Sequence, residues 1–486
     1  MWGQAQLQQL VQMLAYLGFD PAIYPEFSVV LGQGESAAPG AAGELLASNG
    51  PAANPSFQTL TALGIQPALG YIPAHSGANT DITSLNAPAL GAATATTPAV
   101  GTSTTRVATT AFVVNHSPIP NILDFGGDPT GANDNSAAFA AALGAGIGGH
   151  PAIYFPPGIY KFSGNVSYTL PNSTSAVSII GAGPEITQLY WPGGGGLSIN
   201  YIGAFNSAHI RDLSILTGSS GVGNGIALNQ TAASIGNPAN SALSDITNVT
   251  VRGFDGYAAV DYWVNGIIAT GVSNINFTGV MVAGNNAAVP TGTGLVVTGS
   301  ASLPPVVFNV TGCTLNNLST GFYYGNYVQG VTIAQSNFTY VTNSILVPSS
   351  QTNLDQLTVV GNQFGMPPNA SAGVSINTWV PFTMISNNLF FINGTDSGVV
   401  GISGLMTITG NSFHGDGAGS ANGVVITSTN STNASVVTGN AFNSLASGIF
   451  LQAASKSMNV QSNAYSSNTT NVTNSGTGNT IGGGSQ

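Results

Sequence analysis

The stretch Asn121-Ile-Leu-Asp-Phe-Gly-Gly-Asp-Pro-Thr-Gly-Ala-Asn-Asp-Asn-Ser-Ala-Ala-Phe-Ala-Ala-Ala-Leu143 decides the fold of this 486-residue chain. It reads as a strand, a polar loop and a short helix. Asp134, Asn135 or Ser136 can accept hydrogen bonds from the first free helix amides. The glycine-rich run from Gly144 to Gly149 stops the helix. Directly after it, Pro151-Ala-Ile-Tyr-Phe-Pro-Pro-Gly-Ile-Tyr-Lys-Phe162 reads as strand, Pro-Pro-Gly turn and strand. Ser178-Ile-Ile-Gly-Ala-Gly-Pro-Glu-Ile-Thr-Gln-Leu-Tyr190 follows as a third β-rich piece.

Toward the C-terminus, short apolar, β-prone units recur at solenoid spacing. They include Ile246-Thr-Asn-Val-Thr-Val251, Val272-Ser-Asn-Ile-Asn-Phe277 and Val307-Phe-Asn-Val-Thr-Gly312. A Gly-Asn-x-Phe element then repeats at Gly361-Asn-Gln-Phe364, Gly410-Asn-Ser-Phe413 and Gly439-Asn-Ala-Phe442. Ser336-Asn-Phe338 and Asn387-Asn-Leu-Phe390 are looser copies. Stacked rungs explain the pattern: alternating apolar residues face inward and neighbouring rungs lie about 4.8 Å apart. Asn and Gly permit left-handed turns, stacked Asn side chains form ladders, and stacked Phe fills the interior. Roughly ten to fourteen rungs of about 20–30 residues fit between residues 165 and 470. Residues 471–486, rich in Ser, Thr, Asn and Gly, read as a C-terminal cap or tail.

The three opening pieces, in this order, resemble the pectate-lyase-like superfamily of right-handed parallel β-helices. Its members open on Asp-aromatic-Gly-Ala-x-Gly-Asp-Gly, continue with a Tyr-Phe-Pro-Pro-Gly-x-Tyr strand pair and follow with a Gly-x-Gly element. Here Gly127-Asp-Pro129 stands for Gly-Asp-Gly, and Asp134-Asn-Ser136 for Asp-Asp-Thr. The resemblance implies an all-β chain with a right-handed parallel β-helix (solenoid) over 119–470, capped by a helix at 136–143. It implies no activity, because the matching residues build the cap and first rungs.

Upstream, Leu7, Leu10, Val11, Leu14 and Leu17 form one helical stripe, which predicts a helix near 3–18. Its other face carries Gln4, Gln6, Gln8 and Gln12 and no charge, so the helix packs on its own copies or docks into a larger assembly; an ordinary core helix would show the same stripe. The rest of the N-terminal region, 1–74, is rich in Pro, Ala and Gly, with a second short helix expected around 57–63. Residues 75–118 are a Thr/Ala-rich linker. Within it, Ser76-Gly-Ala-Asn-Thr-Asp-Ile-Thr-Ser-Leu85 and Thr102-Ser-Thr-Thr-Arg-Val-Ala-Thr-Thr-Ala-Phe-Val113 resemble segments of tail fibres of tailed bacteriophages. A fibre-like stem on a pectate-lyase-like β-helix resembles a phage tailspike. That resemblance implies an extracellular virion component, a homotrimer whose helical and extended N-terminal region attaches to phage tail or baseplate proteins. It also implies binding of host surface polysaccharide, which many such proteins cleave.

Composition narrows the partners. Lys and Arg number 5, Asp and Glu 16, and 4% of residues are charged, against about 25% in an average domain. A net charge of −11 argues against nucleic acid and against an anionic membrane surface. A polyanionic substrate would need a basic groove that five cations can scarcely build. No apolar run is long enough for membrane insertion, and Met1-Trp-Gly-Gln does not open a signal peptide. Cys313 has no intrachain partner and reads as a buried structural thiol. No cofactor is called for: His150, His209 and His414 lack ligand-spaced partners, and no Ser/His/Asp ordering stands out.

The densest polar and aromatic cluster is Arg252-Gly-Phe-Asp-Gly-Tyr-Ala-Ala-Val-Asp-Tyr-Trp263. Glycoside hydrolysis needs two carboxyl groups about 5–9.5 Å apart. Asp255 and Asp261 are the candidate catalytic pair, with Arg252, Tyr257, Tyr262 and Trp263 lining a sugar groove. Tyr323 and Tyr324 form a second aromatic patch that would extend it. Two other readings stay open: a turn aspartate with aromatics packed at a subunit interface, and a non-catalytic receptor-binding or structural spike. A polysaccharide lyase is the third choice, because stabilising enolate-like charge needs a cation and the β-helix offers only Lys161, Arg211, Arg252 and Lys456. Asp212 and Asp245 occupy like positions and read as turn residues.

Overall fold

The computed structural model describes residues 9, 13, 17, 44–47, 56–59, 119–146, 150–231, 240–368, 372–401, 405–417, 420–428 and 435–482. Contacts divide the chain into two units, Met1–Ala95 and Thr96–Gln486. In the first, Glu44–Ala47 and Ser56–Thr59 form an antiparallel pair. This corrects the short helix expected at 57–63 over Phe57–Thr59; residues 60–63 lie outside the described ones. An isolated single-turn helix is marginal, whereas two paired strands satisfy each other's backbone groups. The helix expected near 3–18 lies outside the described residues except for Gln9, Met13 and Leu17, of which Gln9 and Met13 are helical. The linker expected at 75–118 also lies outside them.

The 121–143 signature builds the end of a column. The Asp128 carboxylate accepts from Thr130 N–H and Oγ1 and from Asn133 N–H and Nδ2, at 2.6–2.9 Å. The Thr130 hydroxyl foremost, these bonds hold Asp128 down at about 2. Buried Asn135 knots the loop to the first rung, accepting from Asp128 N–H and donating to the Lys161 carbonyl. Asp134 caps the helix Ser136–Gly144, accepting from Ser136 N–H at 3.0 Å. That helix buries Ala138, Phe139, Ala142 and Leu143. The Phe139 ring lies 5.9 Å from Phe155 and 6.1 Å from Phe162, closing the column as expected.

Beyond the cap, 34 strands bond into one sheet, and the chain winds through three stacked faces as a parallel β-helix. One inward column runs Ile153, Ile179, Ile210, Ile246, Phe277, Val310, Ile333, Val359, Ile385, Ile408, Val437 and Val460, each in register with the next. Rungs vary in length: 23 residues separate Val437 from Val460, and 36 separate Ile210 from Ile246. The ladder continues past 470, through Thr470–Asn474 and Thr480–Ile481.

The Gly-Asn-x-Phe element acts at one corner of each rung. Gly361, Gly410 and Gly439 take left-handed φ of 67–69°, where a side chain would be strained. The next residue turns inward, so Asn362, Asn388, Asn411, Asn440 and Asn463 form a buried ladder. Each Oδ1 from Asn388 onward accepts from the backbone N–H and Nδ2 of the Asn one rung back, at 2.9–3.1 Å. Two residues on, Phe338, Phe364, Phe390, Phe413 and Phe442 stack with centroids 4.4–5.0 Å apart. Cys313 heads the ladder column. Its N–H donates to Ser336 Oγ at 3.1 Å, and burial pushes its thiol up to about 11, so it is a buried packing residue.

Candidate functional site

Charge on this column is concentrated. Glu185, His209, Arg211, Asp212, Asp245, Arg252, Asp255 and Asp261 all lie on or beside three consecutive rungs, those of Thr187–Trp191, Ser207–Thr217 and Ser244–Gly253. Among the other described residues beyond the cap, only Lys161, Asp355, Asp396, Asp416, Lys456 and the histidines His150 and His414 are acidic or basic.

Arg252 ends the strand Ser244–Gly253 with its side chain buried against the column. Its guanidinium grips Glu185 with two nitrogens, Nε to Oε1 at 3.2 Å and Nη2 to Oε2. Glu185 also accepts from Tyr257 Oη at 2.9 Å and from Ser214 Oγ at 3.2 Å. Burial pushes the Glu185 carboxyl up, but the hydrogen bonds from Arg252 and Tyr257 and the Arg252 charge outweigh it and hold the group below its usual value. The Arg252 guanidinium sits 4.8 Å from the Tyr257 ring centroid. Arg252 is thus a strut that fixes Tyr257 and Glu185. Beside it, Tyr190 and Phe254 stack at 4.2 Å. Phe254 and Tyr257 are 41% and 46% exposed, leaving aromatic surface free.

The two aspartates differ in role. Asp255 turns back on its own loop, accepting from Val260 N–H at 2.8 Å and from Asp261 N–H at 3.2 Å. Asp261 is half-buried; that burial, and then the Asp255 charge, push its carboxyl up. It lies close enough to Tyr190 for its charge to help raise that phenol, after burial. Tyr262 is half-buried at the start of Tyr262–Thr270.

Two expected groove residues face the other way. Trp263 is 2% exposed, with Nε1 donating to the Ile215 carbonyl at 3.4 Å and its ring edge-on to Trp191. Tyr324 is fully buried and donates to the Val328 carbonyl at 3.0 Å. Both belong to the core rather than to a sugar groove, because strand alternation turns them inward. Tyr323, their outward counterpart, is half-buried and its Oη accepts from Gln351 Nε2 at 3.2 Å.

A constellation missed in sequence lies on the same rungs. Ser207 Oγ is 3.2 Å from His209 Nε2, and His209 Nδ1 is paired with Asp245 Oδ1. Asp245 is therefore no turn residue: it stands in a strand, in register with His209. Asp212 stands at a left-handed corner, φ 59°, within the strand Ser207–Thr217, and accepts from Asn248 Nδ2 at 2.7 Å. Among the described residues no three His, Cys, Asp or Glu side chains group as a metal site, and no helix is long and apolar enough to cross a membrane.

No known family profile matches the chain, and no curated protein does. Solved structures do resemble it. The A-module of the Azotobacter vinelandii mannuronan C-5 epimerase AlgE6 shares 15% identity at TM-score 0.46, covering 75% of this chain and 98% of that one. The catalytic domain of a GH87 alpha-1,3-glucanase in complex with nigerose shares 14% at TM-score 0.47, covering 73% and 68%. Tailspike protein 3 of bacteriophage CBA120 shares 13% at TM-score 0.36, covering 73% and 59%.

Proposed function

We propose that this chain is a phage tailspike whose β-helix binds host surface polysaccharide at the edge formed by Tyr190, Phe254 and Tyr257. The observation that carries this reading is the exposed aromatic surface of Phe254 and Tyr257, braced by buried Arg252 and its partner Glu185 on an otherwise nearly uncharged column. Aromatic faces stack on the apolar faces of sugar rings, and neighbouring carboxylates accept from hydroxyls. Attachment to tail or baseplate proteins through 1–74, and a homotrimeric state, belong to the same proposal; the uncharged Leu7–Leu17 stripe supports them. The test is co-sedimentation of the full chain with polysaccharide from candidate host surfaces. Phe254→Ala and Tyr257→Ala are expected to weaken binding about tenfold each, roughly the stacking worth of one ring. Unchanged binding in both variants would move the site elsewhere.

Hydrolysis is a second reading, favoured by the raised Asp261 carboxyl beside Asp255. A carboxyl whose hold on its proton is raised suits the acid role. Asp261 would then protonate the glycosidic oxygen, and Asp255 would act as base or nucleophile. Incubation with the bound polymer should release reducing ends, and Asp261→Asn should abolish the release. Bound polymer that stays intact would leave a binder.

A further inference from the structure

We propose that Ser207, His209 and Asp245 form a hydrolytic triad that removes a small O-acyl group, an acetyl ester of a sugar hydroxyl, on the outer face of the column. The atoms stand in the order this chemistry needs. Asp245 Oδ1 engages His209 Nδ1, which fixes the proton there and leaves Nε2 with a lone pair. That Nε2 lies 3.2 Å from Ser207 Oγ. The backbone sets this up: Ser207 and His209 are two residues apart on one outward strand face, and Asp245 is the register partner of His209 one rung on.

The fold does not require these residue types. Along the same outward column the next positions are Asn276, Asn309, Thr332 and Thr358. Asn309 Nδ2 donates to Asn276 Oδ1 at 3.0 Å, so uncharged side chains suffice for a ladder. His150, to one side of the site, accepts from Ala176 N–H through Nδ1 at 3.2 Å, so its remaining proton is on Nε2. Ala176 is the register partner of Ser207. Ser207 is 6% exposed, so the acyl group proposed is a small one such as acetyl.

In the first step Ser207 Oγ bonds the acyl carbon while its proton passes to His209 Nε2. The ester C–O bond then breaks, and the same proton goes to the departing sugar oxygen. In the second step water gives a proton to Nε2 and its oxygen attacks the acyl-serine, releasing acetate and restoring Ser207. Ester and water become alcohol and acid, with no further reactant. Only the sugar part of the substrate rests on the proposed function above.

The test uses the full chain with p-nitrophenyl acetate and, separately, a fluorophosphonate serine probe. Wild type is expected to release nitrophenol, with Ser207→Ala reducing kcat to background and Asp245→Asn lowering it about 10²–10⁴-fold at little-changed KM. The probe should label Ser207 in the native chain, and label neither His209→Ala nor urea-unfolded protein. Because labelling is read in wild type, a variant that fails to fold does not blunt the test. Equal turnover in wild type and Ser207→Ala, or no label at Ser207, overturns the triad. Turnover and labelling without polysaccharide binding would keep the triad and discard the sugar reading; binding without labelling would do the reverse.

Discussion

Asp396→Asn is expected to stabilise the column at neutral pH and to change little in acid. Asp396 is fully buried; Oδ1 accepts from Gly373 N–H at 2.7 Å, and Oδ2 has no hydrogen-bond partner. Burial foremost, then the charge of Asp416, pushes its carboxyl up from 3.8 to about 6. Asp416 itself accepts from Gly394 N–H at 2.8 Å. A carboxyl raised on folding binds its proton more tightly in the folded state. Its stabilising effect is complete below 3.8 and is lost as pH rises through about 6. At about 1.4 kcal/mol per pH unit, the ionised form costs at most about 3 kcal/mol at pH 7.5, and about 1–3 kcal/mol after local relaxation. In a unit of this size that is roughly 1–4 °C in Tm. Asparagine keeps the Gly373 acceptor and never ionises. Circular-dichroism melts of D396N against wild type should show that gain at pH 7.5 and none at pH 3.5. A variant that melts lower at pH 7.5, or gains equally at both pH values, refutes the reasoning.

Asn411→Ala should destabilise by roughly 3–5 kcal/mol, because the Asn388 N–H and Nδ2 lose their acceptor and the Ile385 carbonyl loses its Nδ2 donor; urea unfolding measures it, and a loss under about 1 kcal/mol would mean the ladder contributes little. Glu185→Gln should cost about 1–3 kcal/mol, less than a fully buried pair because Glu185 is a third exposed, and should weaken polysaccharide binding through a loosened Tyr257; binding lost with no change in melting would instead make Glu185 a direct ligand.

What sequence made legible was local or periodic. The side-chain bonds of the cap loop stay within 121–163, so a single stretch announced it. The Gly-Asn-x-Phe element is read in full: glycine for the left-handed corner, asparagine for the ladder, phenylalanine for the stack. What failed was phase and distance. Trp263 and Tyr324 look like groove residues until the strand's inward and outward phase is known, and a slip of one residue inverts it. The partners of the charged residues lie one or more turns away: 36 residues from His209 to Asp245 and 67 from Glu185 to Arg252. Rung length varies between 21 and 42 residues, so no fixed spacing links them.

The placement of charge carries its own meaning. A parallel β-helix holds together by apolar stacking and uncharged ladders, here Asn362 to Asn463 and the Phe338 to Phe442 stack. Ionised groups add little to such a column and cost desolvation where they are buried. The Arg252–Glu185 pair is no requirement of the fold, since among the described residues the rungs from Gln329–Ala334 onward stack without an equivalent. Nor is the His209–Asp245 pair, whose counterparts on later rungs are Asn and Thr. His209, Asp245 and Arg252 all sit on the paired strands Ser207–Thr217 and Ser244–Gly253, which the packed interior holds in fixed register. Rigid strands hold side chains to the tolerances that recognition and catalysis need better than loops do. The belt between Glu185 and Asp261 is therefore where a change of specificity should be sought, and the sparsely charged rungs beyond it are where substitutions should alter stability alone.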